Sequence, residues 1–260
     1  DQSSFPIYEH GNGIYEGPTI GVSDAHQYRV RIITSDGREY LSDFVPVRYS
    51  PDIDSISWKY MDDGVQLYVH SHDLSNNTRY YRWAYDETWE FHSAYASSLT
   101  YAYGPDGMIS GLAYRNPLTR EPDLTIYTCW KSEASTNILI GSSAKLASDV
   151  IYLPLIKVPR GSVKMSVMYS INLRQYAITS TAYDFLTRMK RNTESVGTIF
   201  DPQPSALNSN IHCLSNPNET VIGFITAGDM KEKRIFISNG SLPNWGYQSG
   251  CSAQEVKNDV

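Results

Sequence analysis

The thirteen residues from Arg79 to Phe91 constrain this chain more than any other stretch. Tyr81, Trp83, Tyr85, Trp89 and Phe91 fall on one side of a period-two pattern, and Arg82, Asp86, Glu90 and the adjoining His92 fall on the other. Successive side chains of a strand point to opposite faces, whereas a helix would scatter these rings around its axis. The stretch predicts a long strand with one buried aromatic face and one wet face, as in an antiparallel sheet covered on one side only.

The same period returns at 163–177. There Val163, Met165, Val167, Tyr169, Ile171 and Leu173 oppose Lys164, Ser166, Ser170, Asn172 and Arg174, and a second long strand is expected. Shorter strand-like runs occupy Ile53–Trp58, Val65–His70, Leu124–Trp130, Asn137–Ile140 and Val150–Ile156, with a turn at Asp62-Asp63-Gly64. Val221–Thr226 and Arg234–Ile237 are expected to close the sheet as a hairpin. One helix is predicted over about 180–196. Thr179, Ser180 and Thr181 offer N-caps, Tyr183, Leu186, Met189 and Thr193 form its stripe, and Gly197 stops it. Asp201-Pro-Gln-Pro204 then forces an extended break.

Near the N-terminus, Tyr28, Val30 and Ile32 alternate with Arg29 and Arg31. The pattern turns at Asp36-Gly37 and resumes with Tyr40, Ser42 and Phe44. Asp-Gly between alternating runs is a strong hairpin cue because a tight primed turn needs positive φ, and Asn12-Gly13 signals another. Residues 46–54 carry two prolines and read as a linker. The expected organisation is therefore 1–48, the closing strands of a small immunoglobulin-like β-sandwich, followed by 49–260, a larger β-rich domain. The fold class expected is mainly β, an antiparallel sandwich or barrel-like domain with a single substantial helix. The chain opens on Asp1, so the expectation is a processed form or an excerpt whose signal peptide or lipid anchor lies upstream.

Composition narrows the function classes. Charged residues are only 19%, and 20 tyrosines dominate the aromatics. Flat rings suit pleated surfaces, and they also supply contact area at low entropy cost on binding faces. The net charge is −6, and the densest basic stretch, Arg188-Met-Lys190-Arg191, lies in the predicted helix, so nucleic acid is not an expected partner. No apolar stretch approaches the roughly 18 residues that span a bilayer. The three cysteines, Cys129, Cys213 and Cys251, leave one unpaired within the chain. Cys213 with Cys251 is the pairing an oxidising compartment would allow, and Cys129 reads as a buried free thiol.

No motif announces catalysis. A G-x-S-x-G nucleophile turn and a phosphate-cradling glycine loop are both absent from the sequence. Glu87 and Glu90 are three apart on a strand and face opposite ways, so they do not make a glycosidase pair with each other. His70 and His72 share a strand face, with His92 and Asp73 as the residues that would complete a zinc site; edge histidines in solvent are the plainer reading, and neither metal nor cofactor is expected. Residues 93–123, rich in Ser, Gly, Pro and Tyr, read as a long irregular loop, and long loops in compact domains are often functional. Tyr95, Tyr101, Tyr103 and Tyr114, with Arg82 and Asp86 on the long strand, are the candidate ligand-binding residues, for a peptide or a carbohydrate. The alternative is that the tyrosines pack the loop onto the body.

Three stretches taken in order carry a family resemblance. They are Asn77-Thr-Arg-Tyr-Tyr-Arg-Trp83 continuing to Glu87-Thr-Trp-Glu-Phe91; Thr136-Asn-Ile-Leu-Ile-Gly-Ser-Ser143; and Gly197-Thr-Ile-Phe-Asp-Pro-Gln-Pro-Ser205 with Asn210-Ile-His-Cys213. With the Tyr28–Phe44 hairpin and Ile53-Asp-Ser55, the chain resembles the domain-of-unknown-function family 4249 of Bacteroidota from about residue 20 to about residue 250. The resemblance implies a secreted lipoprotein with an immunoglobulin-like domain ahead of a larger β-rich one. Members of that family tend to be encoded beside TonB-dependent outer-membrane receptors, and the resemblance therefore implies an accessory role in uptake at the outer membrane, on the periplasmic or cell-surface side. The family supplies no agreed catalytic residues. The lipid-anchor Cys and the first half of the N-terminal domain have no counterpart here, and a Cys-containing tail missing at the other end would account for the odd cysteine count.

Three functions follow as expectations. The first is an extracytoplasmic lipoprotein that captures ligand or partners a TonB-dependent receptor, touching the membrane only through an anchor outside this chain. The second is a structural or adhesive protein-binding module. The third is a hydrolase with a noncontiguous site, which a Ser–His pair within hydrogen-bond reach or two facing carboxylates would favour.

Overall fold

A computed structural model of the chain describes residues 3–194 and 207–251. The N-terminal segment contributes β1 (Tyr8–Gly11), β2 (Ile14–Glu16), β3 (Gln27–Tyr28), β4 (Arg31–Ile33), β5 (Glu39–Ser42) and β6 (Val45–Arg48). The body follows with β7 (Ile53–Met61), β8 (Gly64–Asp73), β9 (Tyr80–His92), β10 (Leu99–Tyr103), β11 (Ile109–Tyr114), β12 (Thr128–Ala134), β13 (Leu139–Ser142), β14 (Asp149–Pro159) and β15 (Met168–Ala177). Helix α1 (Ser180–Glu194) precedes β16 (Ile211–Cys213), β17 (Ala227–Gly228) and β18 (Lys231–Ser238).

The aromatic row is the centre of the molecule. Strand β9 sits inside a five-stranded sheet ordered β12–β9–β15–β18, with β13 pairing along the first residues of β9. A three-stranded sheet, β14–β8–β7, packs against it. Tyr81, Trp83, Tyr85, Trp89, Tyr169, Ile171, Leu173 and Ile237 from the first sheet meet Ile53, Ile56, Val65, Leu67, Val69, Ile151, Leu155 and Val158 from the second. The protein is thus mainly β, 46% strand and 8% helix, and sandwich-like; its sheets do not close into a barrel.

One polar group buried in this sandwich is held in a network. Gln175 is fully buried, yet its Oε1 accepts from Trp83 Nε1 at 2.9 Å and its Nε2 donates to Pro51 O at 2.8 Å and Ser71 Oγ at 3.0 Å. It ties both sheets to the segment entering β7, and no donor or acceptor among these groups is left dry.

The turns expected from sequence form as expected. Asn12 and Gly13 both have positive φ, 54° and 75°, between β1 and β2, and Gly37, φ 83°, closes β4 onto β5. Strands β1 and β2 pair only with each other, whereas β3 to β6 complete their sheets with distant chain: β5 lies between β4 and β16, and β6 lies between β3 and β17.

Several expectations are corrected. Residues 163–177 are not one strand: Val163–Met165 is a 3₁₀ turn, capped where Ser162 Oγ accepts Lys164 N–H at 3.3 Å, and β15 starts at Met168. Gly161, φ 74°, reverses the chain just before it. The supposed linker 46–54 carries β6 and the start of β7, with Val45, Val47 and Ser50 buried. Val221–Thr226 forms no strand, because the Asn210 side chain takes the place of a ladder, bonding both N–H and C=O of Ile225 at 2.8 and 2.9 Å. Strand β18 pairs with β15 instead. Helix α1 buries Ala182 and Phe185 most deeply, while Tyr183, Leu186 and Met189 are half-buried and Thr193 is exposed. Cys213 is buried, Cys129 half-buried and Cys251 exposed, and all three are free thiols, so Cys213 and Cys251 are not bridged. Gly197 and the 201–204 break lie outside the described residues.

Candidate functional site

Residues 93–123 are not an irregular loop: they carry the β10–β11 hairpin. The signal for it was present, since Gly104-Pro-Asp-Gly107 is strong turn chemistry between two alternating runs. Gly107, φ 76°, takes the left-handed position, Gly104 N–H donates to Met108 O at 2.8 Å, and Met108 N–H donates to Asp106 Oδ1 at 3.1 Å. At the base, Arg115 N–H donates to Ser98 O at 2.9 Å and Asp123 N–H to Ser97 O at 3.0 Å.

The register sorts the side chains. Leu99 faces Tyr114, Tyr101 faces Leu112 and Tyr103 faces Ile109, so these six share one face; Thr100, Ala102, Gly111 and Ala113 occupy the other. All six large residues are exposed, from 40% for Leu99 to 65% for Tyr103 and Leu112. At about 200 Å² for each large side chain this leaves roughly 650 Å² of apolar and aromatic surface in solvent. That is at the upper end of the roughly 300–600 Å² of the largest patch on a typical monomer. Asp106 is the only charged residue between Leu99 and Tyr114.

The structure brings three of the predicted tyrosines together and separates the other candidates. Tyr101, Tyr103 and Tyr114 share the hairpin face, with the Arg120 guanidinium 5.2 Å from the Tyr114 ring. Tyr95 is 57% exposed in the bend that leads into the hairpin. Arg82 and Asp86 lie elsewhere, on the open face of the five-stranded sheet. Arg82 sits 5.5 Å from the Tyr176 ring and Asp86 pairs with Arg174 at 2.9 Å. At about 3.3 Å per residue, Asp86 is roughly 20 Å and Arg82 roughly 33 Å along β9 from its His92 end, where the hairpin departs.

The histidines are divided in the same way. His70 and His72 share the outer face of β8, whereas His92 ends β9 in the opposite sheet. Among the described residues, no group of three or more His, Cys, Asp or Glu is placed to hold a metal ion. His72 Nδ1 contacts Asp54 at 2.7 Å, and this hydrogen bond and the carboxylate charge hold the imidazole above its ordinary value.

Two pairings missed in the sequence bear on hydrolysis. Ser57 Oγ lies 2.6 Å from His70 Nε2, across the strand pair β7–β8. That meets the nucleophile-to-base distance. The chemistry also needs an acid on the far nitrogen and an oxyanion hole. The nearby Asp54 is engaged by His72, and among the described residues no carboxylate pairs with His70. Glu133 lies directly opposite Glu87 on β12 and β9, but Lys164 Nζ binds both, at 3.1 and 2.6 Å, so they form one ion-paired cluster. A cleft of about 360 Å³ lies between α1, β6 and the 208–227 segment, lined by Phe44, Phe185, Phe224, Arg48 and Asp184 among others, and by none of the candidate residues.

Fold and surface together define a β-sandwich protein with a projecting apolar hairpin. The chain belongs to the family described as Domain of unknown function (DUF4249), whose model matches residues 1–234. No curated protein and no solved structure matches it.

Proposed function

We propose that this protein is an extracytoplasmic lipoprotein of the bacterial outer membrane that partners a TonB-dependent receptor, with the β10–β11 hairpin as its contact surface. Supporting this reading is the single observation that six large side chains of one hairpin face stand in solvent with one charge in the whole hairpin. Leaving so much apolar surface in water is costly unless a partner covers it. Aromatic and aliphatic anchors of this kind dominate the energetics of protein–protein contacts. Between the two forms of the uptake role, receptor partnering is favoured over capture of a small ligand, because the tyrosines lie on a projecting ribbon and not in the cleft.

The experiment is affinity purification of the full-length protein from native membranes. The receptor encoded beside it should co-purify with the wild type and be lost with the Tyr101→Ser/Leu112→Ser variant, whose fold should be intact because both side chains are exposed. Recovery of the wild type free and monomeric would overturn the proposal.

A further inference from the structure

Resting on that reading, we infer that the hairpin docks by strand addition: β11 lends its outer backbone edge to a free strand edge of the receptor while Tyr101, Leu112 and Tyr114 cover the partner's apolar row.

The ladder geometry carries this. β10 and β11 form a sheet of two strands, so each has one unpaired edge. In an antiparallel ladder, hydrogen-bonded and non-hydrogen-bonded pairs alternate. Arg115 N–H donates to Ser98 O, which makes 98 with 115 a hydrogen-bonded pair. The next pair, Leu99 with Tyr114, is then non-hydrogen-bonded, as is Tyr101 with Leu112, and the backbone groups of these residues point outward. Leu99 O accepts from Arg115 Nε at 3.0 Å, which agrees with that assignment and partly occupies the β10 edge. Among the described residues no such cover is placed on Leu112 or Tyr114, so the β11 edge is the freer of the two.

One of the molecule's other sheet edges is treated differently. β18, at the end of the five-stranded sheet, opens with Lys231, Glu232, Lys233 and Arg234, the charged device that keeps sheet edges from pairing. The strands of the hairpin carry no charge at all. An isolated two-stranded ribbon is marginal in water, and a third strand stabilises it. Hydrocarbon would leave the outward N–H and C=O groups unpaired, so a lipid surface is a poor occupant. A strand edge of another protein satisfies them, and the roughly 650 Å² of side-chain surface matches one side of a standard interface, about 600–1,000 Å².

The test separates backbone from side chain. Leu112→Ala and Leu112→Pro both remove the leucine, but only proline removes the outward N–H, at an edge position where proline is tolerated. Receptor retained on the full-length protein in detergent should fall about tenfold further for Leu112→Pro than for Leu112→Ala, the effect of one hydrogen bond of about 1.4 kcal/mol. Hydrogen exchange of the 109–114 segment in the wild type should slow on receptor binding. Equal losses for the two variants, or no added protection, overturn strand addition while leaving the partnership standing. Failure of the wild type to retain the receptor overturns the partnership and the mode together. A hairpin-dependent homodimer by light scattering overturns the assignment of the edge to a different protein.

Discussion

Replacing Lys164 by Met should destabilise the protein by about 3 kcal/mol. Glu87 is buried, its side chain 5% exposed, and its carboxylate has two donors: Lys164 Nζ at 2.6 Å and the Tyr169 hydroxyl at 2.7 Å. Methionine keeps the stem packed on the Trp89 ring, over which Nζ sits at 4.8 Å, so the change isolates the charge. Breaking a buried pair from one side typically costs about 3–5 kcal/mol. The lower end applies here because Lys164 is itself 23% exposed and Lys131 lies 5.6 Å from the same ring, near enough to compensate in part. For a chain of this size about 2–4 °C is lost per kcal/mol, so the melting temperature should drop by roughly 6–12 °C in calorimetry. Adding Glu87→Gln, which still accepts from Tyr169, should restore most of the loss. Burial works against the Lys164 ammonium, but its hydrogen bonds to Glu87 and Glu133 outweigh that and raise its pKa. The stabilisation is therefore fully present below its unfolded value and is lost as pH climbs through the higher folded one. A Lys164→Met protein melting within about 1 °C of wild type would refute the reasoning, since Glu87 would then hold its place without the cation.

Three further outcomes follow from single sites. Gln175→Leu should cost about 3 kcal/mol in urea denaturation, because Trp83 Nε1, Pro51 O and Ser71 Oγ lose a partner inside the sandwich; unchanged stability would show the network to be dispensable. The His72 imidazole should titrate by NMR above the ordinary histidine value and fall in Asp54→Asn, its pairing present at low pH and lost as pH rises through the raised value; an identical midpoint in both proteins would count against the pair. A serine-directed fluorophosphonate should leave Ser57 unlabelled, given a His70 base with no carboxylate behind it; labelling that depends on His70 would revive the hydrolase reading.

The sequence alone showed where the strands are wettest and driest, because alternation is a local property of the chain. Tyr81, Trp83, Tyr85 and Trp89 were legible as one buried face, and Gly37 and Asn12-Gly13 as turns, since positive φ is written into residue type. Its failures also have local causes. Val163 and Met165 keep the alternation through a 3₁₀ turn, and the prolines of 46–54 masked a short strand. The β10–β11 hairpin has its turn residues in plain view at Gly104-Pro-Asp-Gly107, but the Ser, Gly and Pro on either side are equally the composition of an irregular loop.

What only the tertiary structure decided is who faces whom. Pairing of β5 with β16 and of β6 with β17 joins residues some 170 to 180 positions apart, and nothing local encodes a partner so distant. Glu87 was visible as a strand residue; that Lys164 and Tyr169 would satisfy it depends on a turn and a register. From sequence, the tyrosines of 93–123 read as either packing or binding groups. Exposure is a property of neighbours: among the described residues no other sheet covers the hairpin face, so Tyr101, Tyr103 and Tyr114 stand in solvent.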